Sequence, residues 1–171
     1  MGRNKIPVTA AIRVLRQHRV DFDPHLYDYE PRGGTGHSAA CLGVDEHHVI
    51  KTLVMQDEAA RPLVVLMHGD REVSTKALAR QLKVKSITPC DPAVAERHSG
   101  YQVGGTSPFG TRKALPIYMQ ASIAALPRLY INGGKRGLLV SMAPAELMRV
   151  LDPTPVRAAI DPHGAAADPL P

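Results

Sequence analysis

The chain has no tryptophan and only two cysteines. Cys41 and Cys90 lie far apart, form no C-x-x-C pair and have no histidine at ligand spacing, which excludes a disulfide framework and a structural zinc site and fits a reducing compartment. No run of about eighteen apolar residues occurs, as a membrane-spanning helix would need. The segment Met1-Gly2-Arg3-Asn4-Lys5-Ile6-Pro7 carries no apolar stretch of the kind found in a secretory signal. A soluble, cytoplasmic protein is therefore expected. Eight histidines are present, but His47 and His48 are adjacent, and neither H-E-x-x-H nor H-x-E with a later P-C-x-x-C appears. They read as solvated or packed side chains, and no metal is expected. Ser107, Ser141 and Cys41 could each be a nucleophile, yet there is no G-x-S-x-G elbow and no assigned His or Asp partner, so a serine or cysteine hydrolase triad is rejected.

What is present fits one domain. The 171 residues are 44% hydrophobic, enough to bury a single substantial core. Lys and Arg outnumber Asp and Glu, 21 against 16, for a net charge of +5. This balance favours a polyanionic partner through phosphate contacts. The cations also cluster near glycine-rich segments: Arg112 and Lys113 follow one, and Lys135 and Arg136 lie inside another.

Apolar spacing predicts a first helix capped by Thr9 and ending near His18. Alternation over residues 25–29 predicts a strand that stops at Pro31 and Gly33-Gly34. A short helix is expected over residues 37–42, with Gly43 beyond its end. Residues 49–55 and 63–67 are nearly all apolar and β-branched, as in strands buried on both faces, and their polar link suggests an antiparallel hairpin. Ser74 begins a helix through Leu82, and Pro92 sits in a first helical turn. Strands are expected over residues 115–119 and 128–131, and Asn132-Gly133 signals a reversal before a strand over residues 138–140. Pro144 opens a last helix through Leu151.

Strands and helices interleave without regular βαβ alternation, so the expected class is α+β: a mixed, mostly antiparallel sheet, plausibly a partly closed barrel, flanked by helices. The domain is assigned to residues 1–160. The Pro- and Ala-rich tail, 161–171, is expected to be disordered.

Three features could carry chemistry. In Gly104-Gly105-Thr106-Ser107-Pro108-Phe109-Gly110 the glycines allow close backbone approach, so N–H groups could meet a phosphate or a developing oxyanion; a tight connection between strands is the other reading. A Walker A loop is set aside, because Thr111-Arg112 follows Gly110 in place of Lys-Ser/Thr. Lys51, alone in an apolar strand, must snorkel, pair or face a cavity, where it could hold phosphate or polarise a carbonyl; an edge-strand lysine that discourages aggregation fits equally. The segment from Asn132 to Gly137 could clamp a phosphate backbone or be a solvated hairpin tip. Tyr27 and Tyr29 share a strand face, where ordinary packing explains them unless that face lines a pocket.

In this order, His25-Leu26-Tyr27, Val49-Ile50-Lys51-Thr52-Leu53, Gly104-Gly105-Thr106-Ser107-Pro108-Phe109-Gly110 and Gly133-Gly134-Lys135-Arg136-Gly137-Leu138 resemble the motifs of YbaK-type aminoacyl-tRNA deacylases. Gly104 to Pro108 fill the family's G-x-x-x-P pattern. The resemblance covers roughly residues 7–160. It implies a compact mixed β-barrel with flanking helices, also found as the editing insertion of bacterial prolyl-tRNA synthetases. It further implies cleavage of the ester between an amino acid and the terminal ribose of tRNA, without metal or organic cofactor.

By that likeness Lys51 would hold the phosphate of the tRNA 3′ end, while Gly104 and Gly105 would position the aminoacyl carbonyl. Tyr27, Thr106, Ser107, Pro108, Asn132 and Leu139 would line the substrate site, and Arg112, Lys113, Lys135 and Arg136 would contact tRNA. The implied partners are the aminoacyl-tRNA 3′ end and, transiently, prolyl-tRNA synthetase, with no DNA and no membrane. In cysteine-specific members the substrate's own thiol attacks its carbonyl and leaves as a thiolactone; relatives acting on alanyl or other esters use water. The chain departs from the cysteine-specific pattern in two places, with Leu139 for an aspartate and Asn132 for a serine. Cys-tRNA(Pro) is the leading expected substrate. Another mischarged tRNA such as Ala-tRNA(Pro), or a catalytically silent tRNA- or synthetase-binding module, stands as the alternative.

Overall fold

A computed structural model describes residues 5–160. The tail expectation for 161–171 falls outside them. The strands are β1 (Phe22–Leu26), β2 (Val49–Asp57), β3 (Pro62–His68), β4 (Glu72–Val73), β5 (Ile87–Pro89), β6 (Ile117–Gln120), β7 (Leu129–Lys135), β8 (Leu138–Met142), β9 (Thr154–Val156) and β10 (Ala159–Ile160). The helices are α1 (Ala10–Gln17), α2 (Gly34–Leu42), α3 (Thr75–Leu82), α4 (Pro92–Ser99) and α5 (Pro144–Leu151).

Eight strands form one mixed sheet in the order β1-β8-β7-β2-β3-β6-β9, with β5 paired to the end of β2. The β2–β3 hairpin, β7–β8 and β1–β8 are antiparallel, whereas β2–β7, β3–β6 and β6–β9 run parallel. The α+β class and the antiparallel bias hold, but the barrel does not close: β1 and β9 end the path, and no ladder joins them among the described residues.

Alternation explains the layers. On β3, Val64 and Leu66 join Ile12, Leu15, Phe109, Ile131 and Leu147 in the larger core, on the α1 and α5 side. Leu63 and Val65 join Met55, Leu78 and Ile87 in a second core under α3. A strand that feeds two cores must be apolar on both faces, as β3 is from Leu63 to Met67. A third, small cluster of Ala39, Val49 and Leu139 fixes α2 to the sheet.

Caps set the helix limits. The Thr9 hydroxyl accepts from Ile12 N–H at 3.0 Å, and the Ser74 hydroxyl from Ala77 N–H at 3.2 Å. Gly43 ends α2 at φ +65, a left-handed conformation that suits glycine.

Three expected boundaries shift. The first strand is Phe22–Leu26, not 25–29; beyond it only Tyr27 N–H reaches the Gly137 carbonyl, at 3.0 Å, and the chain then turns toward α2. Pro24 is tolerated because β1 pairs on one side alone. Helix α2 starts at Gly34, three residues before the expected His37. Asn132-Gly133 is no reversal: β7 runs through it with a bulge between Asn132 and Lys135, and the chain turns at Arg136-Gly137. The Asn132 side chain accepts from Gly134 N–H at 2.7 Å and from Lys135 N–H at 3.1 Å, which stabilises a bulge where a two-residue turn was expected.

Candidate active site

Lys51 is on β2, flanked by β7 and β3, so the edge-strand reading falls away. Its neighbours in the strand, Val49 and Ile50, are buried, and the half-buried lysine turns into a cleft of about 720 Å³. Nζ donates to the Arg71 carbonyl in the turn after β3. Burial pulls its pKa below the ordinary lysine range, an effect opposed by the charges of Glu72, Glu46 and Asp70. A partly desolvated ammonium in a cleft attracts a phosphate more strongly than a surface one does.

The turn that receives Lys51 is braced. Asp70 Oδ2 accepts from Arg71 Nη1 at 2.9 Å, and Oδ1 lies 2.8 Å from His47 Nδ1. The His47 ring stacks on buried His68, with centroids 3.8 Å apart and planes 5° apart, and His68 Nε2 is 2.8 Å from the Ser122 hydroxyl. These histidines are packed, as the sequence suggested. Among the described residues no group of three His, Cys, Asp or Glu side chains could hold a metal ion.

The glycine-rich segment joins α4 to β6 and forms another wall of the cleft. Gly104, at φ +88, lies so close to Tyr29 that a Cβ there would fall 2.8 Å from the phenol oxygen. Its carbonyl accepts from Asn132 Nδ2 at 3.1 Å. Gly105 serves a different purpose: its N–H bonds the Gln102 carbonyl at 2.9 Å, and a Cβ on it would meet the Arg136 amide nitrogen at 2.8 Å. It seats the loop on the β7–β8 turn and does not line the cleft.

Of the expected site residues, Tyr27, Lys51, Gly104, Thr106, Asn132 and Leu139 come together around the cleft, and Arg136 stands at its rim. Asn132 and Leu139 are cross-strand partners. Leu139, 4% exposed, gives an apolar wall where an aspartate would have given a charged one. Ser107 and Pro108 are buried away from it; Ser107 Oγ accepts from Phe109 N–H at 3.1 Å, holding the bend. Lys135, Arg112 and Lys113 are exposed but do not line the cleft, and Arg112 borders a second hollow of about 340 Å³.

Two features escaped the sequence reading. Thr52, beside Lys51 on β2, has a buried hydroxyl without a hydrogen-bond partner among the described residues. Its signal was a polar residue beside Lys51 in an apolar strand. Ser141 does have a histidine neighbour, His25 Nε2 at 2.7 Å, but the hydroxyl also accepts from Arg128 Nε at 3.0 Å, is fully buried and lies off the cleft. That pair is structural, and burial keeps His25 below its ordinary pKa.

An open mixed sheet thus carries a partly desolvated lysine in a glycine-bounded cleft, an arrangement able to receive an anion, and the sequence places the chain in a family. The chain belongs to the aminoacyl-tRNA editing domain family, which it matches over residues 33–150. It is 28% identical over 141 residues to EbsC of Enterococcus faecalis, named as a candidate Cys-tRNA(Pro)/Cys-tRNA(Cys) deacylase, covering 82% of this chain and 86% of that one. It is 30% identical over 97 residues to the proline–tRNA ligase of Thermodesulfovibrio yellowstonii, a match spanning 56% of this chain and 16% of the ligase. A solved structure described as a candidate trans-editing enzyme for prolyl-tRNA synthetase superposes with a TM-score of 0.77 at 19% identity, covering 91% of this chain and 99% of that one. Among the described residues no helix is long and apolar enough to cross a membrane.

Proposed function

We propose that this protein is a deacylase that cleaves the ester of mischarged tRNA, with Cys-tRNA(Pro) as the leading substrate. One observation carries the reading: Lys51 rises from a central strand into a cleft bounded by Gly104. In this proposal Lys51 exchanges the Arg71 carbonyl for a phosphate oxygen of the tRNA 3′ end. The backbone at Gly104 and Thr106 orients the aminoacyl carbonyl, with Gly105 holding that loop in place. Tyr27, Asn132 and Leu139 bound the amino-acid side chain, while Arg112, Lys113, Lys135 and Arg136 meet the tRNA.

An activated ester asks little of a protein beyond positioning and support for the developing oxyanion, so the reading needs no protein nucleophile; Cys41, whose Sγ lies 3.5 Å from His37 Nε2, does not line the cleft. The attacking group is then the substrate's own thiol or a water. Leu139 favours a second reading, in which the ester carries a small apolar side chain, as in Ala-tRNA(Pro), and water attacks. An apolar wall distinguishes such side chains by only ~1–3 kcal/mol per methylene.

Incubation with Cys-tRNA(Pro), Ala-tRNA(Pro) and Pro-tRNA(Pro), beside a Lys51→Ala control, tests both readings. Loss of one mischarged ester with Pro-tRNA(Pro) intact names the substrate, and recovery of a thiolactone identifies thiol attack. No loss of any ester by folded protein removes the proposal.

A further inference from the structure

Tyr29 and Arg136 meet at the rim of the cleft, on a surface to which positioning of the ester gives no task. The Arg136 guanidinium carbon lies over the Tyr29 ring, 5.2 Å from its centroid. Its Nε donates to the Val103 carbonyl at 2.8 Å, which fixes the plane of the fork. Val103 itself is 46% exposed, one of few large apolar side chains left to solvent. All three residues line the cleft. The elements carrying them are already joined by the Asn132–Gly104 hydrogen bond and by the close seating of Gly105 on the Arg136 backbone.

An arginine that serves only as a counter-charge keeps its N–H groups free for phosphate oxygens. Here one N–H is committed to a backbone carbonyl, and the guanidinium is laid across an aromatic ring beside exposed apolar surface. Unpaired bases of single strands are held on such surfaces, by stacking on aromatic rings and guanidinium planes. Because the parts are locked together before any ligand arrives, binding costs little ordering entropy.

We propose that Tyr29, Arg136 and Val103 form a stacking platform for an unpaired nucleobase at the tRNA 3′ end. The proposal rests on the deacylase reading and extends it: Lys51 takes a phosphate, and the platform takes a base. Arg136 thereby acts through its plane, and the exposed Lys135 beside it through its charge.

Fluorescence polarisation with a short RNA oligonucleotide ending in CCA, against versions abasic at the last or the penultimate nucleotide, tests the idea. Wild-type protein should prefer the base-bearing RNA by about 5- to 150-fold, the range expected for one stacked base. Tyr29→Ala and Arg136→Lys should each abolish that preference, and Tyr29→Trp should retain it. Arg136→Lys is the discriminating variant, because it keeps the charge and loses the plane. Equal binding of base-bearing and abasic RNA by wild-type protein, or a preference that survives both Tyr29→Ala and Arg136→Lys, overturns the platform. Deacylation measured on the same preparation separates the two proposals. Turnover without base preference removes the platform alone, and base preference without turnover removes the deacylase reading alone.

Discussion

Lys51 is the residue on which the proposed chemistry turns, and its surroundings give it a pH signature. Burial lowers its pKa, so its charge, and with it phosphate binding, should disappear at a lower pH than the ~10.4 of a free lysine. The expected profile is a rise in KM on the alkaline side, beginning below the ordinary lysine range, with kcat less affected. Lys51→Arg should move that limb upward, because a guanidinium stays charged. A KM that is flat to the ordinary lysine range would mean that Lys51 does not bind through charge. His25 gives a separate, structural signature. Its folded pKa lies below the unfolded value of ~6.5, so between the two the unfolded chain binds more protons. Stability from this group is present above ~6.5 and lost as pH falls through the folded pKa. His98 shifts in the same direction. Chemical denaturation across that window should show the loss, and His25→Gln should shrink it without abolishing it.

At the scale of elements, the loop from Gly104 and the β7–β8 hairpin act as one unit. A methyl group on Gly105 would meet backbone atoms of Arg136 and Lys135, at 2.8 and 3.0 Å, where nothing flexible can yield. Gly105→Ala should therefore push the loop off the hairpin and cost about 1–3 kcal/mol of stability, the usual range for overpacking. Thermal melting reads that cost. Deacylation should fall as well, although Gly105 does not line the cleft, and an unchanged melting temperature would contradict the seating described. The turn after β3 is the second coupled element. Asp70→Asn keeps the shape but weakens the brace to His47 and Arg71, so Lys51 should lose its fixed position. The expected result is a several-fold loss in kcat/KM with little change in melting temperature, and full activity would separate that brace from the lysine.

Seen at this scale, much of the fold was legible. Caps at Thr9 and Ser74, Gly43, and the largely apolar β2 and β3 each state a local preference that tertiary structure respects. Asn132-Gly133 misled because the asparagine's side chain satisfies backbone N–H groups of a bulge as readily as it favours a turn. The short strands β4, β5, β9 and β10 escaped, since two or three residues cannot display a period. In the site, Lys51 and Gly104 were readable as residues out of place in their surroundings. Tyr29 was readable only as part of a face that could line a pocket, as it does; Asp70 and Arg71 were not readable, because they matter only through partners remote in sequence.

For the whole molecule, the basic balance and the cleft belong to one account. Net charge of +5 favours a polyanion, and phosphate contacts predict that affinity for tRNA falls steeply as salt rises, with a slope that declines by about one for each phosphate-binding cation removed. Lys135→Ala should show that decrement, and Arg136→Lys should not.

The measurement that bears most directly on the central claim is the fate of the ester in Cys-tRNA(Pro), Ala-tRNA(Pro) and Pro-tRNA(Pro) incubated with wild-type protein and with Lys51→Ala. The proposed function predicts that one mischarged ester is lost with wild-type protein, that Pro-tRNA(Pro) survives, and that the folded Lys51→Ala protein loses most of the activity. Survival of all three esters, or equal turnover by the Lys51→Ala protein, would contradict it.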